Sequence, residues 1–140
     1  MNPYTLSKAL DNKQNEVFLN LTTQKINEMN MKIINELFLP RDIAMSFMKK
    51  IMGYRYVDEI NDLKRGSYIR WINIKDADNI HLTKGSTISD IKLTDNGTYI
   101  SCKNIYGKSN FNIKMDECLI FQKLTDQEQV ILSVVNYLDT

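Results

Sequence analysis

The stretch STISDIKLTDNGTYISCKN, residues 86–104, decides the fold of this chain. Apolar and β-branched residues recur with a period close to two on both sides of residues 95–97. Side chains that alternate in this way point to opposite faces of a β-strand. Asp-Asn-Gly between two such runs favours a tight turn, because asparagine and glycine accept the positive φ angles of hairpin turns. The stretch therefore predicts an antiparallel β-hairpin.

Short β-branched and aromatic runs also flank this hairpin. They are SYIRWINI from residue 67, NFNIKM from residue 110 and CLIFQKL from residue 118. Turn residues at 106–110 and a longer polar loop at 75–85 separate the runs. Five short strands joined in sequence across residues 67–124 predict a small antiparallel β-barrel of the SH3-like or OB-like kind.

The first part of the chain has a helical period instead. Thr22 or Thr23 can cap a helix whose apolar stripe is formed by Ile26, Met29, Ile33 and Leu37. A second helix follows Pro40 and is expected to stop near Gly53. Its stripe consists of Ile43, Phe47, Met48 and Ile51. These stripes are expected either to pack on the barrel and on each other, or to remain available to another chain.

The chain ends in a third helix, whose start is marked by a T-x-x-E capping box at Thr125 and Glu128. The sequence thus predicts an α+β protein with two parts. Residues 1–62 form a helical region that packs on the barrel or on a partner, and residues 63–140 form the barrel with its C-terminal helix.

Strand alternation defines a candidate binding face. If Ile69 and Trp71 face the barrel interior, the residues between and beside them face outward, and the same alternation applies to the later strands. The outward aromatic and cationic residues are Tyr68, Arg70, Lys92, Tyr99, Lys103 and Lys114. Rings that stack on bases, beside cations that neutralise phosphates, form single-stranded nucleic-acid surfaces. The alternative is a purely solvated exterior, where lysines discourage aggregation of exposed strands.

Nothing in the sequence indicates catalysis or a resident cofactor. The chain has two cysteines and one histidine, too few for a four-ligand zinc site. It lacks the glycine-rich nucleotide motifs and the H-E-x-x-H motif, and His81 lies in a polar loop. Cys102 and Cys118 fall in apolar strand contexts, so both are expected to be reduced and largely buried. The sequence predicts a non-enzymatic protein with no cofactor and no metal.

Composition is that of an ordinary globular domain, with 43% hydrophobic and 25% charged residues in 140. No apolar run is long enough to span a bilayer, and the N-terminus lacks the features of a signal peptide. We therefore expect an intracellular protein without a membrane partner.

Residues 63–138 resemble a group of small, uncharacterised proteins encoded by large nucleocytoplasmic DNA viruses. The segments SYIRWI, LTKG, DNGTYISCKN and DECLIFQKLTDQE carry the resemblance. No activity or functional residue is assigned to that group, so no catalytic site follows. The resemblance implies a viral protein that acts in the host cytoplasm or in the virion.

Two functions compete on these observations. The net charge of +1 and the amphipathic, methionine-rich helices favour an interaction or scaffold module of a larger assembly. Its partner would be another protein chain or a second copy of itself. Residues 64–124 contain 10 Lys and Arg against 6 Asp and Glu, a local excess of four positive charges. That excess favours the alternative, a protein that binds single-stranded RNA or DNA through the outward face.

Overall fold

A computed structural model of the protein describes residues 3–11, 13–104 and 109–139. Its longer helices are α1 (Pro3–Asp11), α2 (Thr23–Asn35), α3 (Arg41–Lys50) and α4 (Asp126–Leu138). Its strands are β1 (Tyr54–Val57), β2 (Tyr68–Asn73), β3 (Ser86–Thr94), β4 (Gly97–Cys102), β5 (Phe111–Lys114) and β6 (Cys118–Lys123). Three 3-10 helices cover Lys13–Asn20, Ile60–Asp62 and Met115–Glu117.

The six strands form one antiparallel sheet in the order β1-β6-β2-β3-β4-β5. All five strands predicted from the sequence are present, and the hairpin β3–β4 turns at residues 95 and 96 as expected. The predicted turn at 106–110 falls largely outside the described residues. One extra residue on β3, Ser89, interrupts the β3–β4 register. Such a bulge bends a strand. Before it β3 pairs with β2 and, at Ile88, with β4; after it β3 pairs with β4 alone.

The α+β class and both helical regions are confirmed, but the predicted closure of the sheet into a barrel is wrong. β1, which the sequence did not predict, pairs with the far side of β6 and becomes an outer strand. Asn30 of α2 then occupies its outer edge: the side-chain amide donates to Tyr54 O at 3.0 Å and accepts from Tyr56 N at 2.9 Å. Because the Asn30 side chain binds the backbone of this edge, β1 and β5 form no strand ladder with each other among the described residues.

One face of the sheet holds the main apolar core, and the alternation predicted for β2 is correct. Ile69 is fully buried and Trp71 is 8% exposed. The other buried members of this cluster are Val57, Leu63, Ile88, Ile100, Cys102 and Ile120. The Trp71 ring also contacts the ring of Phe111, with 6.0 Å between ring centroids.

The opposite face of the β1-β6-β2 part packs against α2 and α3. Phe121 and Ile72 of the sheet meet Ile33 of α2, together with Phe47 and Ile51 at the end of α3. Both predicted helical stripes are therefore used, at least in part, to cover the sheet. Met29 and Ile43 remain 48% and 40% exposed, so each stripe also extends into solvent.

A third cluster joins the two ends of the chain. Ala9, Phe18 and Ile26 from the N-terminal region pack against Ile131 and Leu132 of α4. At the start of α4 the predicted capping box is confirmed, with both reciprocal hydrogen bonds formed. Thr22 is confirmed as the cap of α2, accepting from the backbone N–H of Lys25.

A largely buried ion pair attaches α4 to the segment that precedes β2. The Lys64 ammonium lies 2.9 Å from Glu128 Oε2 and 3.2 Å from Asn15 Oδ1. Glu128 is 1% exposed, and its other oxygen accepts from Thr125 N within the capping box. Removing one member of such a pair costs far more than a surface pair would, because the other charge would remain buried.

Both thiols are free, as predicted. Cys102 is buried and Cys118 is half-buried beside the same core. Burial raises the pKa of each thiol to about 11, and the proximity of Cys118 adds to the rise at Cys102. Neutral, inert thiols are expected at physiological pH.

Candidate interaction surfaces

Tyr68 and Arg70 lie on the predicted face of β2, but their polar groups bind the rest of the chain. Arg70 Nε donates to the carbonyl of Thr83 at 2.8 Å, and Nη1 donates to the carbonyl of Lys50 at 3.4 Å. The Tyr68 hydroxyl donates to the carbonyl of Lys84 at 2.7 Å. The two side chains hold the loop before β3 and the C-terminal end of α3 against the sheet. Their local role is structural.

Gly85 makes this close approach of loop and strand feasible. Its φ is +96°, a region that residues with a side chain rarely adopt. A Cβ built at this position would meet the backbone oxygen of Ile69 and lie 2.6 Å from the Tyr68 ring. The loop therefore lies directly on β2 and covers this end of the predicted face.

The other predicted residues do come together. Tyr99 is the direct cross-strand neighbour of Lys92 on one side and of Lys114 on the other. Directly opposed residues have Cβ atoms about 4.5–5.5 Å apart and share a face. A half-buried aromatic ring thus lies between two lysines, and the exposed Lys103 follows at the end of β4. We call Lys92, Tyr99 and Lys114 the basic row.

Acidic groups border the basic row. In the next row of the same face, Asp90 opposes Ser101, and Ser101 opposes Asn112. Asp90 pairs with Arg65 at 2.8 Å, and Asp116 lies 4.0 Å from the Lys114 ammonium. The positive surface is therefore smaller than the sequence suggested, because two of its six residues are used internally and carboxylates flank the rest.

Sequence reasoning missed the most exposed large apolar side chain among the described residues. Phe38 is 93% exposed and follows the last turn of α2, where its N–H donates to the carbonyl of Asn35. Its φ is +51°, in the left-handed region where glycine or asparagine normally ends a helix. This conformation costs a residue with a side chain about 1–2 kcal/mol. The signal in the sequence was a helix-to-helix turn, ELFLP, that contains no glycine.

Phe38 does not stand alone. It lines a shallow depression of about 440 Å³ together with Met31, which is 52% exposed. The polar members of this depression are Glu28, Lys32, Asn35 and Glu36. We call Met31 and Phe38 the apolar anchor. On α3, Met45 is 61% exposed and adds further apolar surface to the helical layer.

The part of the chain that the structure describes forms no metal-binding site. No three His, Cys, Asp or Glu side chains there are grouped so that they could hold a metal ion. His81 is exposed, with its ring 3.4 Å from the carbonyl of Asn79. Nor is any helix in the described ranges long and apolar enough to cross a membrane.

No protein-family model, no curated protein and no solved structure matches this chain.

Proposed function

We propose that this protein is a non-enzymatic interaction module of a larger assembly, and that the apolar anchor is its docking surface for another protein chain. One observation carries this proposal: Phe38 is 93% exposed on a left-handed backbone. Burying a phenylalanine contributes about 1.5–3 kcal/mol. Because Phe38 is exposed, the folded chain gains almost none of this burial free energy at Phe38. The left-handed backbone costs free energy in addition.

Strained residues that contribute nothing to a core tend to serve recognition. A partner that covered Phe38 and Met31 would recover the missing burial free energy. An aromatic side chain surrounded by polar groups is the usual composition of an interface hot spot. Glu28, Lys32 and Glu36 provide charges of both signs around it, so the expected partner surface is apolar at its centre and mixed in charge at its rim.

The viral resemblance of residues 63–138 indicates where such an assembly would be found. A virion or a viral gene-expression complex, inside the host cell, fits a small module of this kind. The strand order also supports a finer assignment of the fold. β2 to β5 form a meander rather than a Greek key, and β6 returns beside β2; this favours an opened SH3-like arrangement over an OB-like one.

The experiment uses Phe38→Gly, because glycine removes the ring and accepts the left-handed backbone. We expect the free energy of unfolding to rise by about 1 kcal/mol, through relief of strain. Affinity purification of the full chain from its native source should then lose a partner that the wild type retains. Met45→Ala on α3 is the matched control and should retain that partner. If Phe38→Gly destabilises the fold, the backbone at Phe38 is not strained and the observation behind the proposal fails. If the same proteins co-purify, Phe38 is not the docking residue.

The basic row supports a second candidate function, binding of single-stranded RNA or DNA. A ring between two ammonium groups can stack on a base while the lysines neutralise phosphates. Binding should be measurable at about 50 mM salt and should weaken steeply as salt rises. Tyr99→Ala should cost about 1–3 kcal/mol. Lys114→Ala should reduce the salt slope by roughly 0.7, whereas Lys49→Ala, at an exposed position of α3, should leave it unchanged. An oligonucleotide titration without signal at low salt would rule this function out.

A further inference from the structure

A cavity of about 550 Å³ lies between α2 and the outer strand β1. Its apolar lining includes Leu21, Ile26 and Met29. Among the described residues, its charged lining balances three cations against three carboxylates: Lys25, Lys32 and Arg55 against Glu28, Asp58 and Asp62. Cavities of about 300–1,000 Å³ with apolar walls and few polar groups are typical of small-molecule sites.

Arg55 supplies the buried polar group of this cavity. The residue is 8% exposed, and its Nε is buried with no hydrogen-bond partner. The carboxylate of Asp62 is 3.7 Å from Nη2, which is beyond hydrogen-bond distance. Below the guanidinium lies the Phe18 ring, 5.0 Å from Cζ. A guanidinium has five N–H donors, and leaving a buried donor unpaired is costly.

The nearby acceptors are already used. Gln122 lies opposite Arg55 in the sheet, but its amide donates to Asp62 O and accepts from Lys64 N, both at 2.9 Å. The carboxylate of Glu128 accepts from Lys64 and from the backbone of Thr125. Strand alternation places Arg55 on the same side of the sheet as Gln122. Its nearest paired carboxylate, Asp62, lies at 3.7 Å, and Nε keeps no hydrogen-bond partner among the described residues.

We propose that this cavity binds a small amphipathic carboxylate, an aliphatic carboxylic acid. Its hydrocarbon chain lies along Leu21, Ile26 and Met29, and its carboxylate pairs with the Arg55 guanidinium. The guanidinium selects this class, because a carboxylate supplies a charged hydrogen-bond acceptor, whereas an alcohol supplies only a neutral one and an alkylammonium supplies none. A charge-assisted, bidentate pair is the strong form of this interaction.

Titration calorimetry of the full chain with octanoate tests the proposal, with octanol and octyltrimethylammonium as probes of the same chain length. Octanoate is expected to bind with a dissociation constant of about 0.1–1 mM, ordinary for so few atoms. The two other probes should bind at least about tenfold more weakly, the loss of one good charge-assisted contact. Equal binding of octanoate and octanol, or no octanoate binding at about 10 mM, would overturn the proposal.

Variants locate the site. Arg55→Met removes the charge but keeps an apolar side chain of similar length, and should weaken octanoate binding at least about tenfold while leaving octanol binding unchanged. Thermal unfolding verifies that this variant folds. Met29→Glu, at the mouth of the cavity, provides the second test and should also abolish octanoate binding. Asn27→Glu, at an exposed position of α2 outside the cavity and outside the apolar anchor, is its matched control and should bind as the wild type does. Octanoate binding that survives both Arg55→Met and Met29→Glu would contradict the assignment.

Discussion

Replacing Asn30 by alanine is expected to lower the free energy of unfolding by about 2–4 kcal/mol. The side chain is 1% exposed and makes two hydrogen bonds to the outer edge of β1, of 3.0 and 2.9 Å. Alanine would leave the carbonyl of Tyr54 and the N–H of Tyr56 without their partner. Each buried backbone group left unpaired costs about 1–3 kcal/mol, and we take less than the full sum because both tyrosines are half-buried. The loss should loosen the contact between α2 and the sheet.

Asn27→Ala provides the matched control, since Asn27 is exposed on the same helix. Alanine is the better helix former, so this change should alter stability by no more than about 0.5 kcal/mol. Equilibrium urea unfolding, followed by the fluorescence of Trp71, measures both variants. Trp71 is the sole tryptophan and is 8% exposed, so unfolding changes its surroundings. Equal midpoints for the two variants, with equal slopes, would refute the role of Asn30 as the partner of the β1 edge.

Three further predictions can be checked by the same unfolding assay. Gly85→Ala should destabilise the protein by about 2 kcal/mol or more, because its φ is positive and its Cβ would meet the β2 backbone. Gly66→Ala is the control, since its φ is also positive but its Cβ would have open space; it should show the cost of the backbone strain without the clash. Thr125→Ala should cost about 1 kcal/mol through loss of the helix cap, and an unchanged midpoint would argue against the capping box. The thiols of Cys102 and Cys118 have a pKa raised from 9.0 to about 11 by burial. The unfolded state therefore loses these protons first, so stability should fall as pH rises from about 9 to about 11, and less so in a Cys118→Ala variant; a flat profile over that range would contradict the burial.

Local patterns in the sequence were sufficient for the strands of residues 67–124 and for the starts of α2, α3 and α4. The hairpin at residues 95–97, the cap at Thr22 and the capping box at Thr125 each depend on a few neighbouring residues. Period-two alternation also assigned Ile69 and Trp71 to the core correctly. These features need no knowledge of what lies on the other side of the sheet.

Strand β1 was missed because its four residues have little local signal and its partner is β6, far along the chain. Its outer edge is occupied by the Asn30 side chain, so among the described residues the sheet stays open between β1 and β5. The candidate face was likewise predicted from alternation alone, which shows where Arg70 points but not what covers it. The carbonyls of Lys50 and Thr83 cover it, and they come from two other segments.

Sequence alone thus determined the period-two strands β2 to β6, the turn between β3 and β4, the caps of α2 and α4, and the faces of β2 on which Ile69, Arg70 and Trp71 lie. Only the tertiary structure decided which edges are paired, which face residues remain accessible and where a cavity forms. The physical reason is the separation along the sequence of the residues that interact. Alternation and capping act between residues a few positions apart, whereas the deciding contacts join residues 26 positions apart, as between Asn30 and Tyr56, or 64 apart, as between Lys64 and Glu128.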